Sequence, residues 1–228
     1  MAHDNTTWLI VGGGPSGADT FDAVMACPSW RAGMSVATNS GIHLFFSHID
    51  GPFYPDFYLL LDSKAVELHH RWALAARRHG TMLVSCERND PFGIRGTPEA
   101  DIRLPLPMFD RTPRPFRQGA YVHARYSGLL CLQLALNCGA ERVGLIGFDG
   151  YRSHAGRQRP DTLDGRDGPA TGVDGTRDFI APFLQSCIDA NPDVEFIQFG
   201  PTTYQLSGDN YAQHMASTWD VPKEVLCV

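Results

Sequence analysis

The chain has 228 residues, a length that suits one large domain, and 43% of them are hydrophobic, which is enough for a substantial core. Its formal net charge of −6 argues against non-specific binding of nucleic acid by the molecule as a whole. The six cysteines show no zinc-type spacing, and no apolar run approaches the ~18 residues of a membrane span. We therefore expect a reduced, cytoplasmic protein without a membrane segment.

Strand and helix patterns alternate through the first part of the chain. In chain order they predict strands at 7–11, 34–38, 56–61 and 81–86, with helices over 16–27 and 64–79. Alternation of this kind is typical of a parallel sheet whose strands are joined by crossover helices.

A glycine-rich turn follows the first strand at once. Gly12, Gly14 and Gly17 satisfy the dinucleotide fingerprint, in which glycine lets the backbone approach a phosphate at a helix N-terminus. The second strand, however, ends in Asn39 and not in the acidic residue that would hold a ribose. Three interpretations remain: a dinucleotide site, a tight turn without a ligand, or a nucleotide or phosphate bound in another way.

Residues 87–125 lack periodicity and are rich in proline, which precludes a long helix. A connection of this length is usually functional or a lid. Its arginines and interleaved aromatic residues suit either a solvated loop or a flap that meets an anionic substrate.

The segment from Tyr126 to Tyr151 reads as one buried helix and one buried strand. Ser127 suits the N-cap of the helix, and Gly139 suits the left-handed position just after it. The strand at 143–148 ends in Asp149, at the edge where open α/β sheets bind their ligands.

The last third predicts a second irregular loop at 150–175 and a helix over 176–190 that Pro182 either kinks or delays. A strand at 194–199 and a short helix over 210–218 complete the chain. Together the elements predict a single Rossmann-like α/β domain over 1–228, with a doubly wound, mostly parallel sheet and long loops at 87–125 and 150–175 over its carboxyl edge.

Several short motifs occur in a fixed order: Leu9-Ile-Val-Gly-Gly-Gly-Pro-Ser16, Thr38-Asn39, Tyr126-Ser127-Gly128, Gly147-Phe148-Asp149 and Gly200-Pro201-Thr202-Thr203. In this order they resemble the CMP-sialic-acid-dependent sialyltransferases of bacterial lipooligosaccharide synthesis. The same skeleton is similar to the MptE-like family, which includes archaeal 6-hydroxymethylpterin diphosphokinases, and to uncharacterised phage proteins.

The resemblance implies contacts with a bound nucleotide. The phosphate side of the nucleotide is lined by Gly12, Gly14, Pro15 and Ser16. Asn39 contacts its ribose or base, and Ser127 and Gly128 contact its base or phosphate. Asp149 and Tyr151 border the site. One departure concerns catalysis. The resembled enzymes place a histidine general base just before the helix that is predicted to start near Thr176, and residues 171–178 contain no histidine.

A transferase needs a base for the acceptor hydroxyl and a means of stabilising the departing phosphate. His154 is the best local base because imidazole titrates near neutral pH. Asp149, Asp174 and Asp62 are alternatives, either as bases or as Mg²⁺ ligands. Three of these four residues also have a structural interpretation: His154 as a surface residue, Asp149 as an acceptor for turn N–H groups, and Asp62 as a helix N-cap.

Three functions remain open. The first is a glycosyltransferase-like transferase with a CMP- or UDP-type sugar nucleotide and no metal. The second is an MptE-like diphosphokinase that uses ATP with Mg²⁺ held by Asp62 and Asp149. The third is a non-catalytic module that binds nucleotides or nucleic acid. The acceptor is undetermined, with modified DNA among the candidates, and the sequence is compatible with an oligomer.

Overall fold

The computed structural model describes residues 4–14, 16–61, 63–86, 99–105, 115–121, 126–149 and 180–214. Within these ranges eight strands form one sheet: β1 Asp4–Val11, β2 Gly33–Thr38, β3 Phe57–Leu59, β4 Met82–Cys86, β5 Ile102–Leu104, β6 Arg142–Ile146, β7 Glu195–Phe199 and β8 Tyr211–His214. Their order is β5-β4-β3-β2-β1-β6-β7-β8, and all neighbouring strands pair in parallel.

Helices cover both faces of this sheet. They are α1 Ser16–Met25, α2 Pro28–Ala32, α3 Ile42–Phe46, α4 Ser63–Arg78, α5 Ser127–Asn137 and α6 Ile180–Ala190. One hydrophobic cluster joins α5 and α6 to one face, and a second joins α1 to α4 to the other. Alternate residues of β1 enter the two clusters, because Trp8 and Ile10 point to the first and Leu9 and Val11 to the second.

The strand order reverses between β1 and β6. The chain proceeds outward from β1 to β5, returns to place β6 beside β1, and then proceeds outward again to β8. This is the doubly wound α/β arrangement that the alternating pattern predicts, so the predicted fold class is confirmed. The reversal creates a switch point at the carboxyl ends of β1 and β6, where open sheets of this type form their binding crevice.

Three local predictions are wrong. Residues 102–104, which lie in the 87–125 segment predicted as an irregular loop over the carboxyl edge, form β5 because they pair with β4. Tyr126, and not Ser127, is the N-cap of α5, because Tyr126 has extended backbone angles (φ −126°, ψ 121°) and Ser127 is already helical. The end of this helix is as predicted, since Gly139 follows it with a φ of +83°.

The segment predicted as a terminal helix over 210–218 is a strand in its described part. Residues 211–214 pair with β7 as β8, since the open edge of β7 offers backbone partners that the local sequence does not reveal. The side-chain amide of Asn210 holds this segment in place by donating to the carbonyls of Ile188, Asn191 and Val194 at 3.3, 2.9 and 3.0 Å.

Candidate active site at the switch point

The turns after β1 and β6 are hydrogen-bonded to each other. The N–H of Gly12 donates to the carbonyl of Ile146 at 2.8 Å, and the N–H of Gly14 donates to the carbonyl of Gly147 at 3.1 Å. The glycine-rich turn therefore continues the contact between the two strands beyond their last paired residues, Val11 and Ile146.

Glycine is required in this turn because neighbouring backbone lies against it. A Cβ atom at Gly14 would lie 2.5 Å from the carbonyl oxygen of Gly147 and 2.8 Å from the Cγ of Asp149. A Cβ at Gly12 would lie 2.9 Å from the same oxygen of Gly147. These close approaches are made to the protein itself, so the tight packing of two turns is enough to explain both glycines.

The carboxylate of Asp149 caps α1. It accepts the backbone N–H of Ser16 at 2.8 Å on one oxygen and the hydroxyl of Ser16 on the other. Both residues are buried, with exposed fractions of 8% for Asp149 and 6% for Ser16. This is the contact expected of a structural carboxylate, and the predicted catalytic role of Asp149 stays a prediction.

A third turn joins the same cluster from β7. The N–H of Thr203 donates to the carbonyl of Asp149 at 2.9 Å, and the hydroxyl of Thr202 donates to the carbonyl of Phe148 at 2.8 Å. Gly200, with a φ of +87°, places this turn beside Ser16. The turns after β1, β6 and β7 thus meet at Asp149.

The turn after β2 borders the crevice on its other side. A Cβ at Gly13 would lie 2.1 Å from the hydroxyl oxygen of Ser40, and one at Gly41 would lie 2.4 Å from the carbonyl oxygen of Val11. These contacts bring the segment that begins with Asn39 directly against the glycine-rich turn.

Asn39 is strained and incompletely hydrogen-bonded. Its φ of +50° is left-handed, which is uncommon for a residue other than glycine. The phenol of Tyr58 donates to its carbonyl at 2.9 Å, and burial raises the pKa of this tyrosine well above its ordinary value, so it remains a donor. The side-chain Oδ1 of Asn39 is buried and has no hydrogen-bond partner within the described ranges. A strained residue with an unmatched acceptor at a sheet edge is typical of a ligand-binding position.

The first turn of α5 approaches the crevice from the opposite face of the sheet. Gly128 allows the ring of Phe148 to lie against it, since a Cβ there would be 2.8 Å from a ring carbon. Ser127 is 7% exposed, and no side chain caps the start of this helix. Because α5 packs on β1 and β2, its N–H groups and the positive end of its dipole lie at the same edge as Asn39.

Five predicted site residues lie outside the described residues: Pro15, Asp62, Tyr151, His154 and Asp174. The structure brings together the others, namely Gly12, Gly14, Ser16, Asn39, Ser127, Gly128 and Asp149. Within the described residues there is no group of three or more His, Cys, Asp or Glu side chains suited to a metal ion.

Sequence reasoning gave no role to Tyr58 or to the threonines at 202 and 203. Tyr58 lies in a buried strand and has the pattern of an ordinary core residue, so no signal marked it. The two threonines are separated from the end of a strand by only Gly200 and Pro201, which places them at the ligand edge.

The fold, but no sequence family, connects this chain to known proteins. No protein-family model and no curated protein matches it. Among solved structures, it is similar to the MAf glycosyltransferase from Magnetospirillum magneticum AMB-1, with a TM-score of 0.56 and 17% identity over 96% of this chain. The chain thus shares its fold with one part of that enzyme. It spans 35% of that enzyme's length.

A second solved structure, the alpha-2,3-sialyltransferase from Campylobacter jejuni in apo form, covers 95% of this chain and 83% of its own length, with a TM-score of 0.47 and 11% identity. The resemblance to glycosyltransferases predicted from the short motifs is confirmed at the level of the fold. The MptE-like resemblance stays a prediction.

In the part of the chain that the structure describes, every helix is too short or too polar to cross a membrane.

Proposed function

We propose that the protein is a glycosyltransferase-like transferase that binds a sugar nucleotide at the switch point between β1 and β6. The observation that carries this proposal is Asn39, whose backbone is strained and whose buried Oδ1 lacks a partner at the edge of the crevice. The likeness of the fold to a glycosyltransferase supports the reaction class.

In this arrangement the uncharged part of the nucleotide lies against Asn39. The Oδ1 of Asn39 accepts a hydrogen bond from an N–H or O–H group of the base or ribose. Leaving a buried acceptor such as this one without a partner costs about 1–3 kcal/mol of free energy. The phosphate lies at the first turn of α5, where Ser127 and Gly128 present N–H groups at the positive end of the helix dipole. The turn at Gly12 to Gly14 forms the floor. Pro15 and Tyr151, which lie outside the described residues, are assigned as further contacts with the donor.

The chemistry is transfer of a sugar from the nucleotide to an acceptor hydroxyl. The acceptor oxygen bonds to the anomeric carbon as the bond to the nucleotide phosphate breaks, the acceptor proton passes to a base, and the phosphate leaves with the bonding electrons. We assign the role of the base to His154 or Asp174, which follow β6 in the sequence and lie outside the described residues. The donor is of the CMP or UDP type, and the acceptor remains open, with modified DNA among the candidates.

In the Mg²⁺-dependent kinase alternative, Asp62 and Asp149 would hold the metal ion. Both oxygens of Asp149 accept hydrogen bonds from Ser16, and the described residues contain no group of three or more His, Cys, Asp or Glu side chains suited to a metal ion, so no observation there favours this function. A non-catalytic module would bind the same nucleotide without turning over a donor.

The test is a thermal-shift screen of CMP, UDP, GDP, ADP and ATP, each with and without Mg²⁺. We expect a pyrimidine nucleotide to raise the melting temperature without Mg²⁺, because a ligand at about a hundred times its Kd adds ~2.7 kcal/mol of stability. The shift should disappear in Asn39→Gly. This substitution removes the amide but tolerates the left-handed backbone, so the variant should fold as stably as the wild type.

Other outcomes of the screen decide between the hypotheses. A shift that requires ATP and Mg²⁺ would favour the kinase. A pyrimidine shift without turnover of any sugar nucleotide would favour the binding module. The absence of a shift with every nucleotide would refute the proposed site.

A further inference from the structure

The N-terminal end of α1 already holds an anion. The N–H and the hydroxyl of Ser16, the first residue of this ten-residue helix, both donate to the carboxylate of Asp149. The next N–H, that of Gly17, donates to the carbonyl of Gly14 at 3.1 Å. Further back, the N–H groups of Gly12 and Gly14 donate to carbonyls at the end of β6. These four N–H groups, which a phosphate could use in a glycine-rich turn, are therefore engaged by protein acceptors.

The positive end of a helix dipole stabilises a negative group placed beside it. In a dinucleotide-binding turn that group is the pyrophosphate of the ligand. In this chain it is supplied from 133 residues away along the sequence, by a carboxylate at the end of the neighbouring strand. A second anion at the same position would meet both the loss of these hydrogen bonds and repulsion by Asp149.

We propose that Asp149 is a positioning residue whose carboxylate permanently occupies the anion-attracting end of α1, so that the phosphate of the ligand is directed to the first turn of α5. The backbone of Asp149 contributes to the same function, because its carbonyl accepts the N–H of Thr203 and fixes the turn after β7. One residue thereby holds three turns of the crevice and determines which of the two helix termini meets the phosphate. This assignment rests on the proposed function for the identity of the ligand, but not for the role of the carboxylate.

The experiment compares three variants in the full chain, with sodium formate as the probe and sodium chloride at equal ionic strength as the reference. Asp149→Ala vacates the end of α1, so formate should bind there as a replacement carboxylate and raise the melting temperature by about 2–4 °C. Wild-type protein should show no such rise. Asp149→Asn keeps an acceptor for Ser16 but lacks the charge, so its nucleotide affinity should fall only as far as its melting temperature falls.

The matched control is Asp56→Ala. Asp56 accepts the N–H and the hydroxyl of Ser35 at 2.7 and 2.9 Å, the same pair of groups that Asp149 accepts from Ser16. Asp56 immediately precedes β3, so it lies at the amino-terminal ends of the strands, away from the crevice. Its partner Ser35 lies in β2 and not at a helix terminus. Formate should therefore rescue Asp149→Ala more than Asp56→Ala.

Two results would overturn the assignment. The first is an equal effect of formate on the wild type and both alanine variants, which would mean that no anion position opens at α1. The second is an Asp149→Asn variant with a wild-type melting temperature that no longer binds the nucleotide, since the carboxylate would then contact the ligand directly. If Asp149→Ala does not fold, the Asp149→Asn result decides alone.

Failure of the proposed function is distinguishable from failure of this assignment. If the wild type binds no nucleotide, the proposed function fails, while the formate measurement still reports on the end of α1. If the wild type binds a nucleotide but formate rescues no variant, only the role assigned to Asp149 fails.

Discussion

Replacing Gly14 by alanine should strongly destabilise the protein, because the added methyl group would clash with neighbouring atoms that cannot move away. The new Cβ would lie 2.5 Å from the carbonyl oxygen of Gly147 and 2.8 Å from the Cγ of Asp149. The first neighbour is backbone and the second is a buried side chain held by two hydrogen bonds, so neither can move without breaking other contacts. The chain must instead separate the two turns.

The magnitude follows from two costs. Overpacking of this kind costs about 1–3 kcal/mol. Loss of the bond from the N–H of Gly14 to the carbonyl of Gly147, 3.1 Å long in the wild type, adds about 0.5–1.5 kcal/mol. We therefore expect a loss of about 2–4 kcal/mol, which lowers the melting temperature of a protein of this size by roughly 5–15 °C.

The assay is urea denaturation of Gly14→Ala beside Gly17→Ala. A Cβ at Gly17 would lie 2.8 Å from the Cδ1 of Leu44, the far end of a flexible side chain that can rotate away. Alanine also favours the helix that contains this position by up to ~1 kcal/mol, so Gly17→Ala should be nearly neutral. Equal stability of the two variants would refute the reasoning, because it would show that the turns after β1 and β6 are not held against each other.

Three further predictions concern other parts of the molecule. Asn210→Ala removes an amide that binds three carbonyls after and within α6, so it should cost about 1–3 kcal/mol in denaturant and speed hydrogen exchange in β8; unchanged exchange would mean that strand pairing alone holds this edge. In the native protein a thiol reagent should modify exposed Cys138 before Cys131 and Cys187, since burial raises the pKa of both buried thiols strongly; equal rates would contradict their burial. Hydrogen bonds from neighbouring threonines lower the pKa of Asp4, so its contribution to stability is present above the unfolded pKa of ~3.9 and is lost as pH falls through the folded value. The stability difference between wild type and Asp4→Asn should therefore narrow on acidification, and a constant difference would contradict the assignment.

The sequence predicts well what is decided by neighbouring residues. The helix over 64–79 and the strand at 34–38 differ from α4 and β2 by one residue at their ends, because hydrophobic periodicity within a segment decides which face is buried. The left-handed Gly139 was also predictable from its neighbours, since glycine is the residue that most easily adopts the left-handed position after the end of a helix.

What the sequence does not predict is decided by distant partners. β5 has only three residues, Ile102–Leu104, and exists because it pairs with β4. β8 likewise depends on the edge of β7, which overrides a helical local pattern. In the site, the position of Asp149 at a strand end was predictable, but its bonds to Ser16 join residues 133 apart and could be found only in the fold.

The contact between β1 and β6 has a consequence for synthesis of the chain on the ribosome. β1 emerges before its neighbour β6, which begins at Arg142, so the acceptors for the N–H groups of Gly12 and Gly14 do not exist until residues 146 and 147 have been made. Contacts between residues so far apart in the chain close late and slow folding. A nascent chain that ends after β5 can form a half-sheet of the five strands from β1 to β5. The backbone groups of β1 that later pair with β6 remain unpaired in this half-sheet. The crevice is therefore completed only when the strands β6 to β8 dock onto the half-sheet formed by β1 to β5.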